Sequence, residues 1–290
     1  MGTQKIEVHL VTPHLGAEIT GVNMAEPMDD QTLTKLRNAL WAHGVIFFRD
    51  QDITPEQHLA FGRRFGQLHI HPFAPGLKDH AEILVLENNR ERPPSINNWH
   101  SDVTFLERPA LGSILRAIKV PEFGGDTLWA SMYAAYDALS DTMQRFLSGL
   151  VAVHDFEHVF FGHSKLMFSD KTEDAHARVD KVAAARKRFP EMEHPVVRTH
   201  LETGKQALFV NSGFTTRIKD MSEKESRTLL NFLYEHLDSP DFQVRFRWQK
   251  NSVAFWDNRC TQHFAAADYW PHERHMQRVT IEGERPFYKA

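Results

Sequence analysis

The chain has one cysteine, Cys260, among 290 residues. No internal disulfide framework is possible, and a reducing, cytoplasmic setting fits. It has no apolar run close to the roughly 18 residues that a membrane-spanning helix needs. The opening "MGTQKIEVHLVTPHLGAEI" has no apolar core of the signal-peptide kind. It has no basic tract, and its net charge is −4, so neither nucleic acid nor a membrane surface is expected as a partner. It has no internal repeat and no low-complexity stretch, which excludes a solenoid. What is abundant is histidine, 18 residues, enough to make metal chemistry worth testing. With 41% hydrophobic residues, the chain can bury a sizeable core.

Several helices are signalled by their caps. Thr54-Pro55-Glu56-Gln57 is a capping box with proline at the first helical position, predicting a helix to about Phe65. Ser222-Glu223-Lys224-Glu225 is a second capping box, followed by a stripe of Leu229, Leu230, Phe232, Leu233 and Leu237. "DDQTLTKLRNALWAHG" reads as a helix stopped by Gly44, "SMYAAYDALSDTMQRFLSG" as one or two helices, and 173–189 as an exposed, charge-laced one. Between them lie short β-rich runs at 45–48, 82–87, 112–118, 151–156, 194–200, 207–211, 242–248, 252–256 and 276–283. They do not alternate with helices, so a doubly wound fold is disfavoured. A mainly β fold with helical cover, of the sandwich or jelly-roll kind, is expected. No linker interrupts 1–290, so one domain is expected, with a less regular insertion around 157–193.

"NNWHSDVTF" places His100 and Asp102 two apart, on one face if the segment is a strand. An imidazole and a carboxylate so placed can bind a divalent metal or simply bond each other. The spacing alone is weak: with 18 His and 38 acidic residues, 18 × 38/290 gives about two His-x-acid pairs by chance, and four occur. In "RHMQRVTIEG", Arg274, Met276, Arg278 and Thr280 share one face of the last strand. The two arginines lie about 13 Å apart along it. If that face points inward, each guanidinium needs an anion, because buried charge is not left unpaired; if it is exposed, both are simply solvated. Arginine suits a carboxylate or a tetrahedral oxyanion.

With "LGAEITGV", "FFRDQDITPEQ", "RFGQLHIHP", "NWHSDVTF", "FGGDTLWASMYAAYDALS", "HPVVRTH", "GKQALFVN", "GFTTRI" and "WDNRCTQHFAAADY" ahead of that strand, the chain resembles the taurine dioxygenase family of Fe(II)- and 2-oxoglutarate-dependent oxygenases over nearly its whole length. The resemblance implies a distorted double-stranded β-helix (jelly roll). It implies an iron site made by His100, Asp102 and His263, the last arriving 161 residues after Asp102. Such a facial triad leaves positions open for 2-oxoglutarate and O₂. By the same matching, Thr127 and Arg274 hold the distal carboxylate of 2-oxoglutarate. Arg278 and His71 hold the anionic head of a small organic substrate, and Val103, Phe160 and Phe209 line its pocket. The implied reaction hydroxylates the carbon next to that head; if the head is a sulfonate, aldehyde and sulfite leave. The family also implies a homo-oligomer, dimer or tetramer.

The resemblance weakens at the substrate's far end, where the family pattern has polar residues and this chain has Ala74, Ile96 and Val159. A greasier pocket is expected. Taurine is the leading single substrate because the anion-binding residues match, and other alkyl sulfonates, alkyl sulfate esters and aryloxyalkanoates are the alternatives. A zinc-type metallohydrolase or a non-catalytic metal-binding β protein could use the same triad, but neither needs a second anion site. Cys260 and His263 form a C-x-x-H without the remaining ligands of a structural zinc site, so Cys260 is read as a buried thiol. His69 shares a face with His71 and is read as structural.

Overall fold

In the computed structural model, residues 5–95, 97–161 and 175–290 are described, the side chains of 158 and 175–179 excepted. The chain begins with strands β1 (Glu7–Leu10) and β2 (Ala17–Thr20), helix α1 (Asp30–His43), β3 (Val45–Phe48) and α2 (Pro55–Arg63). Short strands β4 (Leu68–His69) and β5 (Gly76–Leu77) precede the long β6 (His80–Asn88) and β7 (Ala110–Lys119). Then come β8 (Thr127–Ser131), α3 (Met132–Asp137), α4 (Asp141–Leu147), β9 (Val151–His154), α5 (Glu157–Phe160) and α6 (Ala175–Arg188). β10 (Met192–Pro195), β11 (Val197–Thr199), β12 (Gln206–Leu208) and β13 (Thr215–Ile218) lead to α7 (Glu223–His236). The last strands are β14 (Gln243–Phe246), β15 (Val253–Asp257), β16 (Thr261–Ala265) and β17 (Arg274–Glu282).

The capped helices form where their end groups can be satisfied. Asp29 accepts from the backbone N–H of Thr32 at the start of α1, and Gly44 ends it at φ 68°. Both capping boxes close reciprocally, at Thr54/Gln57 and Ser222/Glu225. The expected 194–200 strand divides at Val196, which changes partners there: its N–H donates to the Leu150 carbonyl beside β9, and its carbonyl accepts from Phe209 N beside β12.

A nine-stranded sheet runs β1-β2-β3-β15-β7-β17-β6-β5, with β4 also paired to β17. Facing it is the short sheet β14-β8-β16. Together they make the distorted jelly roll. Phe47, Leu115, Trp256 and Met276 from the large sheet pack against Trp129, Val244 and Phe246 from the small one. The other face of the large sheet is covered by α1 and α2, where Val279, Ile281 and Phe255 meet Leu36, Leu40, Leu59 and Phe61. β17 is therefore covered on both faces, and its arginine-bearing face looks into the roll. Arg274 and Arg278 are 5% and 8% exposed, which disposes of the solvated alternative. No helix among the described residues is long and apolar enough to cross a membrane.

Candidate metal centre

His100 does not stand in a regular strand. It forms one antiparallel bridge with His263, its N–H donating to the His263 carbonyl (3.1 Å) and its carbonyl accepting from the His263 N–H (2.8 Å). The chain then turns at Val103, whose φ is 48°, a left-handed conformation that a β-branched side chain resists. That turn, not a shared strand face, aims Asp102 beside His100. Gly213 makes room: a Cβ there would stand 3.0 Å from His100 Cβ.

β16 delivers His263 through its register with β8, where His263 lies opposite Trp129. The ligand atoms of His100, Asp102 and His263 all lie within 4.8 Å of one another, and all three residues are buried. His100 Nδ1 donates to the Asn98 carbonyl at 2.9 Å, which leaves the Nε2 lone pair for a metal. Burial drives the basicity of both imidazoles down, that of His263 far down, so both are neutral donors. Burial opposes the charge on Asp102. The Arg278 guanidinium, helped by the two imidazoles and the Ser113 hydroxyl, outweighs it and holds the carboxyl well below the usual carboxylate range. Asp102 Oδ2 accepts from Ser113 Oγ at 2.7 Å. Its backbone N–H donates to Asn258 Oδ1 at 3.1 Å, and Oδ1 accepts from Arg278 Nη1 at 2.5 Å. Two neutral imidazoles and one ionised carboxylate fit a divalent ion such as Fe(II).

A cavity of about 100 Å³ opens beside the triad. It brings together Thr127, Arg274, Arg278, His71, Val103, Val159 and Phe160, as expected from sequence. Arg274 donates through Nε to the Gly125 carbonyl at 3.2 Å, and no carboxylate pairs with it among the described residues. Burial disfavours its charge, a condition that an incoming anion relieves. His71 Nδ1 accepts from the Phe73 backbone N–H at 3.2 Å, so the ring proton sits on Nε2. Burial, with Arg278 and His69 adding to it, pushes His71 down to about 3.

Two expected lining residues lie elsewhere. Phe209 does not border the cavity; its ring stacks on His154 at 5.9 Å and lies under the Arg198 guanidinium. Ala74 is half-buried but not on the cavity wall. Ile96 lies outside the described residues. Sequence reading missed Asn98, Leu84, Leu86, Leu115, Gly213, Phe214 and Ala265, which complete the lining with Trp256. It also missed Ser113 and Asn258, which hold Asp102. For Gly213 and Phe214 the "GFTTRI" motif was the available signal. Cys260 is a buried free thiol, as expected.

The sequence model of the taurine catabolism dioxygenase TauD, TfdA family matches residues 7–280. An alpha-ketoglutarate-dependent sulfate ester dioxygenase from Pseudomonas putida is 37% identical, over 97% of this chain and 91% of its own length. An alkylsulfatase from Acinetobacter baylyi is 36% identical, over 97% of this chain and 86% of its own. The crystal structure of a taurine dioxygenase from Burkholderia xenovorans superposes with a TM-score of 0.80 at 34% identity, covering 97% of this chain and 92% of that one. The triad, the two buried arginines and the match along nearly the whole chain agree: the chain belongs to the taurine catabolism dioxygenase TauD, TfdA family.

Proposed function

We propose that the protein is an Fe(II)- and 2-oxoglutarate-dependent dioxygenase that hydroxylates the carbon next to the sulfur oxyanion head of an apolar-tailed alkyl sulfonate or alkyl sulfate ester. The observation that carries this reading is the inner face of β17, where two buried guanidiniums flank a His-Asp-His triad. A metallohydrolase or a passive metal site has no use for two anion sites.

When bound, iron with 2-oxoglutarate and O₂ supplies the oxidising power, giving succinate and CO₂ and placing one oxygen atom on the substrate carbon. The residues of the chain do the rest. His100, Asp102 and His263 hold the metal. Arg274 and Thr127 take the distal carboxylate of 2-oxoglutarate. Arg278 keeps Asp102 ionised through Nη1, while its Nε has no partner among the described residues. With the Nε2–H of neutral His71 it grips the substrate head, one charged donor and one neutral one. Val103, Val159, Phe160 and Phe214 exclude water and fix the tail, so that the carbon next to the head faces the metal. The hydroxylated carbon then expels sulfite or sulfate and becomes an aldehyde.

Apart from Asp102, no carboxylate lines the described cavity. An ammonium group such as that of taurine has nothing there to pair with, whereas an alkyl tail finds valine, leucine and phenylalanine. The Pseudomonas and Acinetobacter relatives named for sulfate esters support the same preference. Strands from both ends of the chain share the large sheet, which supports reading 1–290 as one oxygenase domain carrying the 157–193 excursion. The family makes a homo-oligomer the expected assembly.

The test is a panel of taurine, a longer alkyl sulfonate, an alkyl sulfate ester and an aryloxyalkanoate with Fe(II), 2-oxoglutarate and air. Succinate coupled to sulfite or sulfate from the apolar-tailed compounds, well above taurine, is the expected outcome. Turnover that runs with Zn(II) and ignores 2-oxoglutarate would sink the oxygenase reading.

A further inference from the structure

Thr127 is 2% exposed and borders the cavity. Its Oγ1 accepts from the indole Nε1 of Trp248 at 2.9 Å and stands 3.5 Å from Nη2 of Arg274. An indole N–H and a guanidinium N–H can only donate. Both lone pairs of the hydroxyl are therefore engaged, and its hydrogen keeps the one direction left. Among the described residues no acceptor meets that hydrogen.

We infer that Trp248 is a positioning residue: its indole N–H fixes the Thr127 hydroxyl as a donor toward the distal carboxylate of 2-oxoglutarate. The inference rests on the proposed function. Its physical content is one of polarity. A hydroxyl free to rotate can turn a lone pair toward a carboxylate and repel it; one whose lone pairs are occupied can only donate. Arg274 alone would fix the rotation poorly, because its contact is at the limit of hydrogen bonding. Trp248 is well placed to do so. It is 5% exposed, set edge-on to Phe246 at 5.0 Å and 89°, and tilted against Trp129 at 6.4 Å. It follows β14, which pairs Phe246 with Thr127, so the register that places the threonine also places the indole.

The experiment is calorimetric titration of 2-oxoglutarate into Zn(II)-loaded protein, which binds without turnover. Trp248→Phe keeps the ring and removes the donor. Its dissociation constant for 2-oxoglutarate is expected to rise on the order of fivefold, the size of one net neutral hydrogen bond. In a Thr127→Val background the same substitution should change nothing further. Affinity for 2-oxopentanoate, which lacks the distal carboxylate, should not respond to Trp248→Phe in either background. An unchanged constant for 2-oxoglutarate, or an equal rise with and without the Thr127 hydroxyl, would overturn the inference while leaving the dioxygenase reading intact. If the unaltered protein binds no 2-oxoglutarate, the proposed function falls and the inference with it. Should Trp248→Phe fail to fold, ¹⁵N-tryptophan spectra of the unaltered protein decide. One buried indole N–H resonance must move when 2-oxoglutarate binds and must stay still in Thr127→Val; no such resonance would overturn the inference.

Discussion

Among the described residues, two buried clusters carry the residue types of a metal site, and they behave differently. His100, Asp102 and His263 form one; His200, Asp257 and Cys260 form the other, equally compact and equally buried. At Asp257 both carboxylate oxygens are already used. Oδ1 accepts from the Arg259 backbone N–H and Nε, both at 2.9 Å, and Oδ2 accepts from Arg259 Nη2 at 2.7 Å and His200 Nε2 at 3.0 Å. Arg259 also pairs with Glu202 and Glu284. A guanidinium stands where a cation would have to sit, and the Cys260 thiol is pushed well above its ordinary range by burial and by Asp257, far from the thiolate a metal needs. At Asp102 each oxygen has one close donor, Arg278 Nη1 on Oδ1 and Ser113 Oγ on Oδ2, rather than two, the imidazoles keep free lone pairs, and a cavity adjoins them. Donor type and proximity are common to both clusters. Unspent lone pairs and space separate the metal centre from the structural knot.

The comparison can be broken from either side. Replacing His263 by alanine should remove bound iron and reduce coupled succinate formation by more than the roughly 100-fold that losing even an outer partner of a ligand can cost, with the fold retained by circular dichroism. If His263→Ala kept its iron and its activity, the triad would be misassigned. Asp257→Ala should do the opposite. It takes from the buried Arg259 and His200 a shared acceptor, leaving Arg259 only Glu202 and Glu284, and should destabilise the protein by about 1.5–3 kcal/mol in urea unfolding, while folded protein still binds one iron per chain. A loss of iron from Asp257→Ala at unchanged stability would mean that the second cluster, not the first, holds metal.

Sequence reading reached the first cluster by motif and could not weigh the second. His100, Asp102, His263, Thr127, Arg274, Arg278 and His71 were legible because each sits in a short pattern of fixed spacing. The helix caps were legible because capping is local. β8 and β16, which carry Thr127 and His263, were not read as strands. Each has three consecutive buried residues, Trp129–Ser131 at the end of "TLWAS" and Thr261–His263 at the start of "TQHFA", so neither shows a sustained two-residue alternation. The Val103 turn was illegible because nothing local asks a valine to take positive φ. Ser113 and Asn258 reach Asp102 from 11 and 156 residues away, a meeting that only the folded sheet arranges. Phe209 was assigned to the pocket by resemblance, and its ring packs on His154 and under Arg198 instead.

Acid offers a third way to sharpen the contrast, because histidines that only support the fold should report on stability and not on iron. His58 donates to the Ile114 carbonyl at 3.2 Å, and His194 to the carbonyls of Thr104 and Leu106 at 2.9 and 3.0 Å. Burial pushes each down to about 4, against an ordinary value of 6.5. The unfolded chain takes up these protons first as pH falls. Each residue therefore leaves stability intact above about pH 6.5 and withdraws it between about 6.5 and 4, by about 3 kcal/mol at most. Urea unfolding at steps across that window should show the decline, and His194→Gln should flatten it. A His194→Gln protein with the same pH slope as the parent would mean that His194 does not titrate with unfolding.

The smallest effect concerns the wall of the cavity rather than its donors. Val159 borders the cavity from α5, and the tail-binding reading gives its methyls a task that no hydrogen bond shares. Val159→Thr keeps the shape and exchanges one methyl for a hydroxyl. The loss is about 0.8 kcal/mol of apolar contact, a roughly fourfold rise in KM for an alkyl sulfate. Stability should stay within about 0.5 kcal/mol because the residue is half-buried. Affinity for 2-oxoglutarate should not move, since the residues proposed to bind it, Thr127 and Arg274, lie on β8 and β17 and not on α5. For taurine the same substitution should be neutral or favourable, because a hydroxyl can meet an ammonium and a methyl cannot. The ratio of the two KM changes is the decisive number. If it is one, Val159 does not touch the tail and selectivity is set elsewhere in the cavity; if the alkyl sulfate alone weakens, the wall sorts substrates that the shared anion grip of Arg278 and His71 cannot distinguish.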